Sequence, residues 1–307
     1  MNIITSPDTI ARPTAIALGN FDGIHRGHEN VIRPIFSSQS GVPTVVSFQP
    51  HPREWFSGQR LTLLTPLAEK SDYLARMGVQ QLVVLAFDQQ LATLSPQAFV
   101  ERILLETLHA RWISVGQNFK FGHRRAGTTE DLRAIAAAHN IHVNIAELQC
   151  CGDERISSSA IREALTNGDV SRANRLLGRP YQLRGIVVKG QQLGRTIGFP
   201  TANLQIPENK FCPRQGVYYV SVHCAEEPSL KDFPAVMNIG HRPTVDGTRL
   251  TVEVHLLEWI GDIYGKTLHV ELIQFLRSEQ KFRSLDELKE QIAIDCRMAR
   301  SLTRVSS

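Results

Sequence analysis

Thr14-Ala15-Ile16-Ala17-Leu18 runs straight into Gly19-Asn20-Phe21-Asp22-Gly23-Ile24-His25-Arg26-Gly27-His28, and the reading of these fifteen residues decides the fold. Four apolar residues in a row after Thr14 suit a strand covered by helices on both faces, which is the situation in a parallel sheet. The glycine-punctuated turn then opens a helical pattern, so a strand–turn–helix unit is predicted. Ligands of such sheets bind beyond the carboxyl ends of the strands, and a helix start favours phosphate. Glycines at 19, 23 and 27 form neither GxGxxG nor a Walker A loop. The motif offers His25-x-Gly27-His28, with Gly27 admitting a phosphate to the backbone and two imidazoles as donors. Two surface histidines in a loop, or half of a zinc site lacking its other ligands, are the alternatives that the spacing alone leaves open.

Further strands are expected over 44–48, 82–87, 112–116 and 142–148. Helices are expected over 28–36, 66–77, 96–108 and 130–139, the third opened by Ser95-Pro96. Strand–helix alternation with right-handed crossovers gives an α/β, doubly wound parallel-sheet domain. Short helices over 159–165 and 170–177 follow, the second flanked by Asp169 and Gly178 as caps. After Arg179-Pro180 the texture changes to strands over 183–188, 217–222, 235–239, 251–257 and 268–275. These read as a small antiparallel β-barrel, closed by an amphipathic C-terminal helix from Ser284. The expected division is therefore 1–180 and 181–307.

Composition narrows the classes. A chain of 307 residues, 42% hydrophobic and 21% charged, fits two globular domains rather than a disordered or disulfide-stapled protein. The longest uninterrupted apolar stretch has six residues, against the ~18 or more of a membrane span. No signal peptide is read at the start, and five cysteines, an odd number, suit a reducing cytoplasm. Their expected role is as buried structural thiols. The net charge is +4 and 26 of 34 basic residues are Arg, which favours an anionic partner such as phosphate. No like-charge run marks a nucleic-acid tail.

A second motif joins the first. Ile156-Ser157-Ser158-Ser159-Ala160-Ile161-Arg162 puts hydroxyls, free N–H groups and a guanidinium at a helix start, an anion site unless the serines merely cap. Together the two motifs resemble the HxGH nucleotidyltransferase superfamily and its late SSTxxR-type motif. The loops 48–53 (FQPHPR) and 116–122 (GQNFKFG), with 168–170 and 177–181, make the first half similar to the adenylyltransferase module of the bacterial bifunctional riboflavin kinase/FAD synthetases. Ser159 stands where Thr is usual, and Gln117 where a bulkier residue is familiar.

Residues 185–203 read GIVVKGQQLGRTIGFPTAN. Glycines 190, 194 and 198 suit a loop near a phosphate, and Thr201 and Asn203 offer hard oxygen ligands for Mg²⁺. As a 19-residue string it resembles the flavokinase signature, and Asn238–Thr244, Gly216–Tyr219 and Phe275–Arg277 fit the same family. The resemblance implies ATP-dependent phosphorylation of riboflavin to FMN, then adenylylation of FMN to FAD with loss of pyrophosphate. It implies Glu253 as the kinase's general base and His25, His28 and Arg162 as adenylyl-transfer residues. ATP and flavin contacts would fall on Gly19, Phe21, Asp22, Gly27, Asn118, Ser158, Ser159, Gly190, Gly194, Arg195, Gly198, Pro200, Asn238 and Arg277. Small molecules, with Mg²⁺ and without nucleic acid or membrane, are the expected partners, and a homo-oligomer is compatible with this. Gly261–Thr267 mimics a P-loop but joins two strands and is read as a turn. The rivals are a single-activity adenylyltransferase and a basic nucleic-acid-binding protein.

Overall fold

The computed structural model describes all residues except 38, 39, 191, 192, 245, 246, 306 and 307. The chain divides into two compact units, Met1–Ser158 and Ser159–Ser307.

The first unit is built on six strands: β1 (Asn2–Ile4), β2 (Thr14–Leu18), β3 (Val42–Gln49), β4 (Gln81–Ala86), β5 (Ala110–Gly116) and β6 (His142–Ala146). They pair in parallel in the order β1-β4-β3-β2-β5-β6. Alternation along β2 explains the two layers. Ile16 and Leu18 face a core with Phe99, Val100, Leu104 and Leu132. Ala15 and Ala17 face the opposite core with Val31, Ile32 and Leu74. The small residues on that side let the Arg26–Ile32 helix lie close, and Ser114 Oγ pins it by donating to Val31 O at 2.6 Å. From β2 the chain goes to β3 and β4 on one side and later to β5 and β6 on the other. The order therefore reverses between β2 and β5, the switch point where such sheets open a crevice.

Two departures from the sequence reading have local causes. The helix expected over 28–36 breaks into Arg26–Ile32 and Pro34–Ser37, because Pro34 has no N–H to continue the ladder. The helix expected over 96–108 is a turn, Pro96–Ala98, that widens into π-type geometry over Phe99–Thr107. A two-stranded hairpin, β7 (Cys150–Cys151) with β8 (Glu154–Arg155), was not anticipated.

In the second unit, β9 (Tyr181–Val188), β10 (Ala202–Gln205), β11 (Gly216–His223), β12 (Phe233–Thr244), β13 (Gly247–Leu256) and β14 (Thr267–Arg277) close an antiparallel barrel in the order β10-β13-β12-β11-β14-β9. Tyr218, Val220, Met237, Val252, Val254, Leu268 and Val270 are buried on the inward-facing positions. The outward face of β11 and β12 seats the Leu285–Val305 helix through Val217, Tyr219 and Val236 against Cys296 and Ala299. The Val170–Leu177 helix packs on β9 and β14, and Asn174 bridges them by donating to Leu272 O and accepting from Tyr181 N. Asp169 caps that helix and Gly178 ends it in left-handed geometry, as expected. Ser284 caps Glu287 N, while the Glu287 carboxylate reaches Arg283 N rather than closing the expected box on Ser284. Among the described residues, no helix is long and apolar enough to cross a membrane. All five cysteines are free, and only Cys224 and Cys296 are buried; Cys150 is exposed, contrary to the expectation for it.

Asp295 is 2% exposed and is held by a bidentate Arg277, with Nη2 at 2.8 Å. Removing the arginine strands a buried carboxylate. Arg277→Leu should lower unfolding free energy by about 3–5 kcal/mol in urea denaturation. Arg300→Leu, which breaks the exposed Arg300–Glu258 pair, should cost no more than about 1 kcal/mol.

Candidate active sites

In the first unit the loop after β2 leaves the sheet at the switch point. Three of its residues sit in left-handed backbone: Phe21 at φ 48°, Gly23 at 96° and Ile24 at 40°. For a bulky or β-branched residue that region is strained and persists only if neighbours enforce it. They do so here. Thr65 N donates to Asp22 Oδ1 at 3.1 Å, and Gly23 N donates to Thr65 Oγ1 at 2.9 Å. Ser158 Oγ donates to Asp22 O at 2.7 Å, which ties the end of the first unit to the histidine loop. The Phe21 ring lies so close over Gly19 that a Cβ there would sit 3.2 Å from it, so a side chain at 19 would press on the ring.

His25 caps the Arg26–Ile32 helix, its Nδ1 accepting from His28 N at 3.2 Å. An accepting Nδ1 leaves the proton of the neutral ring on Nε2, a donor for an anion. The two imidazoles stack at 3.6 Å between centroids, and Phe21 meets His28 edge-on at 5.4 Å. Gly27 is packed against the His25 ring, where a Cβ would lie 3.2 Å from Nδ1. Asn118, just beyond β5 on the other side of the switch point, folds its Oδ1 back toward Gly116.

An aromatic surface escaped the sequence reading. At the carboxyl ends of β3 and β4, Phe48, Trp55 and Phe56 gather edge-on around Phe87, with centroids 5.8–6.5 Å apart. Phe56 is 67% exposed. The signal was the FQPHPREWF run, whose aromatic tail falls on the short helix Pro52–Ser57.

Arg162 and Ser159 belong to the second unit, on the helix Ser158–Asn167, and the Arg162 guanidinium lies 4.8 Å over the Phe211 ring.

In the barrel, strand register assembles the second site. Asn203 on β10 pairs with Glu253 on β13, and Glu253 pairs with Asn238 on β12. Registered neighbours share a face, so an amide, a carboxylate and an amide form one transverse row. The row lies on the outer face, since Val252 and Val254 on either side of Glu253 are buried inward. Gly190 packs close to it: a Cβ at Gly190 would collide with the Asn203 amide, and one at Gly194 with Phe199 O and near Thr201 Oγ1. Gly198 requires its φ of 89°. Arg195 falls on a single helical turn, Leu193–Thr196. His255, two residues along β13, donates from Nδ1 to Pro200 O at 2.8 Å, bracing the PTAN segment. Burial lowers its pKa below the usual imidazole range, while the Pro200 carbonyl opposes and Arg300 adds to the shift. Arg277 points its guanidinium at Asp295, away from a purely ligand-binding use.

Comparison with known proteins follows this division. The FAD synthetase family model matches residues 8–160 and the riboflavin kinase family model residues 177–303. The bifunctional riboflavin kinase/FMN adenylyltransferase of Escherichia coli (strain K12) is 40% identical over 91% of this chain and 90% of its own. That of Haemophilus influenzae is 39% identical over 94% and 93%. A crystal structure of a macrolide-efflux protein from Streptococcus pneumoniae has TM-score 0.85 at 31% identity, covering 97% of this chain and 98% of that one. Two catalytic family models in this order, with relatives near 40% identity along nine-tenths of the chain, make it a member of the bifunctional riboflavin kinase/FMN adenylyltransferase family.

Proposed function

We propose that residues 181–307 phosphorylate riboflavin with ATP to give FMN and that residues 1–180 adenylylate FMN with a second ATP to give FAD and pyrophosphate. The Asn203–Glu253–Asn238 row supports the first step most directly. Glu253 accepts the proton of the ribityl primary hydroxyl as its oxygen attacks the γ-phosphorus, and ADP leaves; catalysis is otherwise positioning and charge stabilisation. Gly190, Gly194 and Gly198 bring backbone to the phosphates, with Arg195 and Pro200 beside them and Asn238 toward the flavin. The hydroxyl of Thr201 and the amide oxygen of Asn203, next to a carboxylate, are a hard donor set that suits Mg²⁺. When bound it neutralises phosphate charge. Arg277 contributes by fixing the C-terminal helix through Asp295.

The stacked His25–His28 pair at the switch point carries the second step. An FMN phosphate oxygen attacks the α-phosphorus of ATP and pyrophosphate departs, so no strong base is needed. His25 Nε2–H, His28, Asn118 and Ser158 stabilise the phosphate charge, while Gly19, Phe21, Asp22 and Gly27 shape the loop. The exposed rings of Trp55 and Phe56 offer a stacking surface for the isoalloxazine. We place the protein in the cytoplasm with small-molecule partners, and oligomerisation is compatible with both sites.

Three outcomes check this division by chromatography of the flavins. Glu253→Ala should cut FMN formation by about 10²–10⁴-fold and leave FMN-to-FAD conversion intact. His28→Ala should cut adenylyl transfer by about 10²–10³-fold and spare the kinase. Phe56→Ala should raise the KM for FMN in the second step about tenfold with kcat unchanged, as expected for lost stacking.

A further inference from the structure

The Leu67–Arg76 helix buries an ionisable residue that neither reaction above uses. Lys70 is 7% exposed. Its Nζ donates to Asn20 O at 2.7 Å and to Ser47 Oγ at 3.1 Å, and Ser47 Oγ donates to the same Asn20 carbonyl at 3.2 Å. One node therefore ties a helix, strand β3 and the start of the histidine loop together. Taking an ammonium out of water is costly unless an anion answers it. The charged group acting on it is Asp22, buried in the adjacent turn. Methionine would fill the same volume at no electrostatic cost, so the charge has a use beyond packing.

We propose that Lys70 is a positioning residue of the adenylyl-transfer site, whose ammonium holds the Asn20–Asp22 turn so that His25 and His28 stay in phosphate-binding geometry. The inference rests on assigning adenylyl transfer to the first unit. The turn needs left-handed backbone at Phe21 and Ile24, a conformation that lasts only while its anchors hold. A neutral amine keeps two N–H donors for Asn20 and Ser47 but loses its attraction for the Asp22 carboxylate. Asp22 then loses the Lys70 charge, and the turn relaxes.

Protonation supplies a readout that a purely structural role would not move. Burial lowers Lys70 from 10.5 to about 8, with Asp22 opposing. Between those values the unfolded chain binds more protons, so this group makes the fold more stable as pH rises. Adenylyl transfer should go the other way. Its kcat/KM should fall about tenfold per pH unit above about 8, while riboflavin phosphorylation by the same full-length chain lacks that limb.

The test is the pH profile of FMN-to-FAD conversion from 6.5 to 9.5 in wild type, Lys70→Met and Lys70→Arg, with thermal unfolding followed in parallel. Lys70→Met should be about 100-fold slower at pH 7 and without the alkaline limb. Lys70→Arg, permanently charged, should keep part of the activity and carry it past pH 9. Wild-type rates or an unchanged limb in Lys70→Met would overturn the proposal. Should the arginine variant fail to fold, the wild-type profile still decides, because FAD formation that stays flat through pH 9 rejects the role of Lys70 alone. No FAD at any pH would reject the assignment of the unit as well.

Discussion

A buried carboxylate must be answered on every side, and Asp22 is the group on which the first unit's working edge depends. Its carboxylate takes the Thr65 amide, its carbonyl takes the Ser158 hydroxyl, and the Lys70 charge acts on it electrostatically. These ties enforce a loop whose backbone is otherwise unfavourable at Phe21 and Ile24. Without them the loop has no reason to stack His25 on His28. The imidazoles are thus preorganised by neighbours far away in sequence, and preorganisation is what lets fixed dipoles stabilise a developing phosphate charge.

The barrel solves a different problem with a simpler device. Antiparallel register alone aligns Asn203, Glu253 and Asn238 across three strands. Inward neighbours pack the core while outward ones form the row, so one strand of period two serves stability and chemistry together. Gly190 keeps its backbone close to Asn203 and Gly194 close to Phe199, because side chains at 190 and 194 would be driven into those residues. His255 fixes the other end by holding the Pro200 carbonyl.

Much of this was legible in the sequence because the signals are local. The strand–turn–helix at 14–32, the cap at Asp169, the stop at Gly178 and the in–out alternation around Glu253 all rest on residues a few positions apart. What stayed hidden depends on distant pairing. β10 has only four residues between Pro200 and Pro207, too few to show a pattern, yet it carries Asn203. Lys70 reads as one polar residue on an amphipathic helix until Asn20 and Ser47, 50 and 23 positions away, are seen to meet it. Likewise, the texture change at 180 marks where helices give way to strands. The compact units part at Ser158, because packing of the Val170–Leu177 helix on β9 and β14 leaves no texture in the sequence.

One chain with two phosphate-handling sites makes the product of one the substrate of the other. The most direct measurement is a time course of purified protein with riboflavin, ATP and Mg²⁺, resolving riboflavin, FMN and FAD. FMN should rise first and FAD should follow at its expense. If neither FMN nor FAD forms, and added FMN also stays unconverted in folded protein, the account is contradicted.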